Sequence, residues 1–392
     1  MSIFWKKHGV RLHKSEKACV GYTLISSHTF NDAWLLDMEG NYVHRWTFPA
    51  KARNHGVLLP NGNLLYAMAA PLPADENDVS VPRVGSWGTG GGLLEMSWEG
   101  DLVWKHVDKC QSHSFYRMRS GNTIYPRVIR VPDDIARKVR SGIPGTEDRG
   151  MIWTDGLREV TPDNKIVWEW SALDHLDPDI HIMCPLSLRA DWTHMNSVEE
   201  LPDGNILTNF RNISSTWIID KATGKVIWDW GRGEVSHQHA PTMLDNGNIL
   251  MFDNGMHRQN DSLMCYSRAV EVNPKTNKIE WEYMADPPQS FYSSLLANCQ
   301  RLPNGNTLIC EAMRGRVFEV TTDGEIVWEY MNPFYRPHTS PFQGQRSLLG
   351  WQTSNQIFRA YRYTPDYAGL KGKNLSPENL KWVNQLYGSG VS

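Results

Sequence analysis

The chain has 392 residues, with 40 Lys and Arg against 43 Asp and Glu and a formal charge of −3. At 21% charged and 40% hydrophobic residues it has the makeup of a globular protein rather than a disordered one. So even a balance, without a basic run, excludes a protein that tracks a nucleic-acid backbone, and no apolar stretch reaches the roughly 18 residues a membrane-spanning helix needs.

The opening MSIFWKKHGVRLHKSEKACV has a charged start but neither a continuous apolar segment nor a small-residue cleavage pattern. Residues 1–20 therefore read as an N-terminal extension, and the expected location is cytoplasmic. The cysteines, Cys19, Cys110, Cys184, Cys265, Cys299 and Cys310, are scattered without a CxxC, which predicts reduced thiols rather than a disulfide framework.

From residue 21 to about 374 the sequence repeats itself. A short strand, a turn and a Trp- or Tyr-bearing return strand occur six times: EGNYVHRW (39–46), EGDLVWKH (99–106), DNKIVWEW (163–170), TGKVIWDW (223–230), TNKIEWEY (276–283) and DGEIVWEY (323–330). Interleaved are hairpins built on Asn-Gly or its equivalents: LLPNGNLLY (58–66), MRSGNTIY (118–125), ELPDGNILT (200–208), MLDNGNILM (243–251) and RLPNGNTLI (301–309). Such turns supply the positive φ a tight hairpin requires. Each unit has four strands, a to d, and the repeats fall roughly 47–64 residues apart, the signature of propeller blades. The expected fold is all-β, a six-bladed propeller of four-stranded antiparallel blades. GYTLISS (21–27) aligns with the b strands, so the first blade lacks its own strand a, and NQIFRAYRY (355–363) is placed to supply it. Residues 375–392 are expected to form a short helix and tail, with Ser376 as N-cap and Pro377 in the first turn.

The a–b and c–d turns are short, whereas the b–c and d–a connections vary widely and share one face. One of them, 129–155, carries the lid candidates, DDIARKVRSG as a helical turn or two and GIPGTEDRG as a loop. The first residue of strand a opens onto that face. Read blade by blade it gives Asn54-His55, His113, Asn196 behind His194, His239 behind His237, Asn298 and Asn355. Strand b ends there too, with His28, Arg127, Arg211, Asp253-Asn254, Arg258, Glu311 and Arg314. Imidazoles beside guanidinium groups make an anion site with acid–base capacity. Trp87, Tyr116, Trp192, Phe291 and Tyr292 are the aromatics placed to wall an aryl group.

DWTHMNS (191–197), PDGNILTNFRN (202–212), TGKVIWDWG (223–231), SHQHAPTMLDNGNILMFDNG (236–255) and YSRAVEV (266–272) resemble the bacterial PAPS-independent arylsulfate sulfotransferases. The resemblance implies a six-bladed propeller that moves sulfate from a phenolic ester to another phenol through a transiently sulfated histidine. It places the family's motif residues on His194 with Asn196, on His239, and on Arg258. It also places the family's nucleophilic histidine near Glu311–Arg314, where this chain reads ICEAMRGR, and puts Ala240 where a polar residue is expected. The residues expected to carry catalysis are thus His239, His194, Arg258 and His113. His55, Asn196, Arg211, His237, Asn254, Asn298 and Asn355 are expected to bind substrate, a small anionic and aromatic molecule. The alternatives are a lyase, hydratase or hydrolase using the same groups, or a propeller that only binds ligand. No cofactor is called for, although converging imidazoles can hold a divalent metal, with His237 and His239 the nearest to a ligand pair. Neither nucleic acid nor membrane is expected as a partner, and the sequence does not fix the oligomeric state.

Overall fold

A computed structural model describes residues 8–27, 31–49, 52–69, 78–83, 91–258, 265–337 and 353–388. At the Asn-Gly hairpins, Gly62, Gly121, Gly204, Gly247 and Gly305 have φ between +83° and +90°. Each glycine donates its N–H to the carbonyl three residues back, as Gly62 does to Leu59 at 2.9 Å. These turns fold the strands into a six-bladed β-propeller of antiparallel sheets.

In blade three the strands are Tyr116–Arg117, Thr123–Arg130, Trp153–Val160 and Ile166–Ser171. Blade four follows with Met195–Glu200, Ile206–Phe210, Ser215–Ile219 and Val226–Trp230. Blade five is His239–Met243, Ile249–Asp253, Arg268–Asn273 and Lys278–Tyr283. Blade six is Asn298–Arg301, Thr307–Glu311, Arg316–Val320 and Ile326–Met331. The first blade takes its strand a from the far end of the chain: Ile357–Tyr363 pairs antiparallel with Tyr22–Ser27, as expected from the sequence. Gly9–His13 adds a fifth strand to blade six, against Ile326–Met331. The sequence reading left this segment as a plain extension, because five residues with no turn signal beside them carry too little pattern to mark a strand.

The chain divides into two compact units. One comprises Met1–Tyr66, Glu95–Val103 and Leu295–Ser392, the other Ala67–Leu94 and Trp104–Ser294. In the second unit the c strand Ser215–Ile219 is buried along its length, while the outer d strand Val226–Trp230 alternates with solvent until Trp230 turns inward. Trp192, Phe210 and Trp217 pack with Ile124, Leu157 and Trp170 in one core cluster. Leu207, Ile218 and Trp230 pack with Met251, Val270 and Val272 in another.

The repeated tryptophans have a common task. The indole N–H of Trp170 donates to the Gly224 carbonyl at 2.8 Å, and that of Trp228 to Asn277 Oδ1 at 2.8 Å. In the first unit Trp46 reaches Ser97 and Trp328 reaches Met38 in the same way. Each of these four indoles thus caps the c–d turn of another blade, which satisfies a polar atom on an otherwise apolar ring. A second repeat links the hairpin to its own blade: the Asn that follows the turn glycine donates to a glutamate on strand c, in Asn63–Glu95, Asn122–Glu159, Asn248–Glu271 and Asn306–Glu319.

In the first unit Glu319 and Arg362 are both fully buried and pair at 2.7 Å. Arg362 also donates to Thr23 Oγ1 and to the Cys19 carbonyl, so the C-terminal strand is bonded to the N-terminal segment and to blade six together. The C-terminal tail is a turn of 3-10 helix capped by Ser376, then a helix over Lys381–Tyr387 whose Asn384 bonds both backbone atoms of Tyr42. Among the described residues no helix is long and apolar enough to cross a membrane. All six cysteines are free thiols.

Removing one partner of a buried ion pair leaves the other charge uncompensated. Arg362→Met should therefore lower the unfolding free energy by about 3–5 kcal/mol, and adding Glu319→Gln should restore much of it. Urea unfolding of the two single variants and the double variant measures this coupling.

Candidate functional site

In the second unit three histidines sit in left-handed backbone just ahead of an innermost strand: His113 (φ 32°), His194 (φ 60°) and His237 (φ 59°). The sequence reading had set His113 level with Asn196 and His239. Its left-handed backbone matches that of His194 and His237 instead, two residues ahead of Asn196 and His239, and bulges at Met195/Ser197 and His239/Thr242 offset each of those strands by one residue against its neighbour.

Left-handed backbone disfavours a residue with a Cβ, and buried aspartates hold it in place. Asp155 Oδ2 accepts from Thr193 Oγ1 at 2.6 Å and from Met195 N at 2.7 Å, bracketing His194. Asp253 Oδ1 accepts from Ser236 N at 2.9 Å, next to His237. Burial and the nearby Asp191 carboxylate push the Asp155 carboxyl up to about 7.

His194 Nδ1 lies 2.5 Å from Asp191 Oδ2. Burial, with the Arg211 guanidinium close by, holds this imidazole well below its ordinary pKa. A neutral ring whose Nδ1–H faces a carboxylate carries its lone pair on Nε2. The ring of His113 lies 4.5 Å away, centroid to centroid, and its Nδ1 meets Ser112 Oγ at 2.7 Å. His239 is oriented similarly: its Nδ1 is 2.7 Å from Asn254 Oδ1, and Asn254 Nδ2 in turn donates to the Ser293 carbonyl at 2.7 Å.

Arg211 is the electrostatic centre. It is 7% exposed, and burial lowers it to about 10, so it stays charged at neutral pH. Nη1 donates to Asn212 Oδ1, Nη2 contacts Met256 Sδ, and Nε is buried with no hydrogen-bond partner. Among the described residues no carboxylate lies within ion-pair distance of it. Its field reaches Asp191, Cys184 and Tyr292 and depresses His194, His237 and His257. A buried cation so placed favours an anionic ligand.

Arg258 differs. Its Nη2 bonds Asp253 Oδ2 at 2.8 Å, an oxygen it shares with Arg268, and its guanidinium stacks over Tyr266. Arg127 likewise pairs with Asp108. In the first unit Glu311 is fully buried between Arg316 and Arg314.

The asparagines are engaged with backbone. Asn196 donates to the Gln238 carbonyl. In the first unit Asn298 bonds both the N–H and the carbonyl of Ala360. Asn355 bonds the Asn332 carbonyl and packs on Gly315, where a Cβ would come within 2.3 Å of its own carbonyl oxygen. These contacts hold strand ends together. His55, also in the first unit, lies 3.4 Å from Arg359 Nη1 and stacks on Phe358.

Of the aromatics expected to wall a ligand, Trp192 and Phe291 are fully buried in blade packing and line no opening. Tyr116 is a strand residue packed on the core. Tyr292 is half-buried beside Arg211 and is pushed up to about 12 by burial and by Cys265. His28, Trp87 and the side chain of Asn54 lie outside the described residues. The 129–155 insertion contains one helical turn, Asp133–Ala136. A surface depression beside that turn, lined by Arg130, Pro132, Asp133, Asp134 and Arg137, shares no residue with the histidine cluster.

Sequence reasoning missed three participants. Asp191 stood inside the quoted DWTHMNS motif, three residues before His194, but a carboxylate in a loop shows no orientation. Cys184 and His257 carried no spacing signal, and only the folded chain brings their ligand atoms and those of His237 within 4.8 Å of one another. His239, which with His237 came nearest to a ligand pair in the sequence, is not in that group.

The fold is a propeller, and its second unit gathers several histidines around the buried Arg211. The chain belongs to the arylsulfotransferase (ASST) family, whose model matches residues 86–333. A search of curated proteins finds no match. Among solved structures the chain is similar to a protein of unknown function from Bacteroides caccae, at 12% identity and a TM-score of 0.52, covering 88% of this chain and 98% of that one. It also resembles a streptogramin B lyase, at 13% identity and a TM-score of 0.45 over 83% and 82% of the two chains. A virginiamycin B lyase from Staphylococcus aureus matches at 14% identity and a TM-score of 0.37 over 70% and 77%. At 12% identity the first of these shows a likeness of fold alone.

Because the folded-state pKa of Asp155 is raised, the native protein binds more protons than the unfolded chain between pH 3.8 and about 7. The stability this gives is fully present below pH 3.8 and is lost as pH rises through 7, with a steepest slope of about 1.4 kcal/mol per pH unit. In Asp155→Asn that contribution should be absent, and urea unfolding of both proteins across this range measures the difference.

Proposed function

We propose that the protein transfers the sulfuryl group of an aryl sulfate ester to an acceptor hydroxyl, with His194 as nucleophile. The observation that carries this reading is the Asp191–His194 pair beside Arg211. The aspartate fixes the tautomer, so the Nε2 lone pair attacks sulfur. The N–S bond forms as the S–O bond to the aryl group breaks, and the phenolate leaves with a proton supplied by His113. Arg211 faces the sulfuryl oxygens as charge grows on the leaving group. In the second half the acceptor hydroxyl attacks sulfur, its proton passes to His113, and the N–S bond breaks. His239, held by Asn254, and Tyr292 complete the surroundings of an anionic aromatic substrate. Family membership supports this chemistry, and Asp191 accounts for a nucleophile placed on His194.

4-Nitrophenyl sulfate provides the test. Wild-type protein should release 4-nitrophenol faster when a phenolic acceptor is present. His194→Ala should lower kcat by at least about 100-fold. Enzyme quenched without acceptor should carry one sulfuryl group on the peptide containing His194. Since that imidazole is held neutral, kcat should not fall near pH 6.5 through its protonation. A sulfuryl group on His239 would move the nucleophile, release independent of acceptor would make the protein a hydrolase, and no release would overturn the reading.

A further inference from the structure

We infer that Cys184, His237 and His257 form a binding site for a borderline-soft divalent transition metal of the zinc type. The inference does not depend on sulfuryl transfer.

The three residues come from separate connections of the second unit, ahead of blade four, ahead of blade five, and after strand b of blade five. Their ligand atoms lie within 4.8 Å of one another, and Cys184 Sγ is 3.2 Å from His257 Nδ1. Tetrahedral zinc, with bonds of about 2.0–2.3 Å, needs ligand atoms about 3.4–3.8 Å apart, so closing the set asks for shifts of about 1 Å. One thiolate and two imidazoles suit zinc, and three protein ligands leave its fourth position open.

A second, independent feature points to a ligand. His237 is 1% exposed, yet both of its ring nitrogens are buried with no hydrogen-bond partner. A buried imidazole left so forfeits the hydrogen bonds it made in water, and a metal bond would satisfy one of its nitrogens. The surrounding backbone is already tied. His237 N donates to Ser214 Oγ, and Ser236 Oγ donates to the Met256 carbonyl, which fixes the 237 and 257 loops to each other. Cys184 N is held by the Asn212 carbonyl. His257, like His237, has left-handed backbone, at φ 59°. The nearby cation is Arg211, which opposes a metal ion; Asp191, and the thiolate that Cys184 would present to the metal, offset it.

The test reads metal binding rather than activity. Chelator-treated full-length protein is titrated with Zn2+, and separately with Co2+, whose absorption reports thiolate ligation. The expected result is one ion per chain with a near-ultraviolet thiolate-to-cobalt band. Cys184→Ser should abolish the band. Both Cys184→Ser and His257→Gln should weaken binding more than tenfold, since even residues that only orient metal ligands change affinity 10–100-fold. Cys265→Ser, at an exposed thiol, should bind as wild type does. Circular dichroism confirms that the variants fold. Absence of stoichiometric binding to wild-type protein, a cobalt spectrum lacking the thiolate band, or affinity unchanged in folded Cys184→Ser would each overturn the assignment.

Discussion

The buried pair of Glu319 and Arg362 is the constraint on which closure of the first blade depends. Arg362 lies on the strand that the C-terminus contributes, and Glu319 on strand c of blade six. Glu319 also accepts from Cys19 N and from Asn306 Nδ2. Five polar contacts thus converge from the N-terminal segment, the last blade and the closing strand. Such a pair adds little net stability over a well-packed apolar substitute. Its service is register: a slip of one residue would turn Arg362 to the other face and strand Glu319 without a partner. The Arg362 guanidinium also lies 4.3 Å from the ring of Trp328, so the outer indole contact and the inner ion pair meet at the same place.

In the second unit, buried aspartates do comparable work for the site. Asp155 brackets His194, Asp253 holds Ser236 beside His237, and Asp191 orients the His194 ring. Two of these carboxylates act through backbone N–H groups, placing histidines in a conformation that side chains with a Cβ disfavour. These contacts fix the direction of the His194 imidazole and of the backbone on either side of it. Arg211 gives the cluster its sign. Its near neighbours are imidazoles kept neutral by burial and by its own field, so the positive charge stays directed at one group. Arg258 and Arg268, tied to Asp253 and Glu282, contribute structure with their charge balanced.

The repeat made the blades legible because hairpin turns, strand alternation and the outer indole are local signals. Six recurrences of them, with a displaced first strand, leave one closed arrangement. The candidate site was legible in residue type but not in role. His239 stood out at a repeated strand-a position, His194 two residues ahead of the equivalent Asn196, and Arg211 at a strand-b exit. Asn298 and Asn355 stood out equally, yet their amides meet backbone, because the same strand-end position that faces an opening also needs its peptide groups satisfied. Trp192 and Phe291 were indistinguishable by sequence from ligand-facing aromatics, and packing turned both inward.

The amino-acid sequence by itself determined the all-β class, the six blades and the C-terminal strand that completes the first. All of these follow from periodic local patterns. Tertiary structure alone decided which side chains meet. It set Asp191 on His194, gave Arg258 a carboxylate partner while Arg211 has none among the described residues, and gathered Cys184, His237 and His257 from three connections. The physical reason is that bulges and left-handed residues at the strand ends detach side-chain direction from residue count, so position in the repeat no longer predicts what a side chain touches.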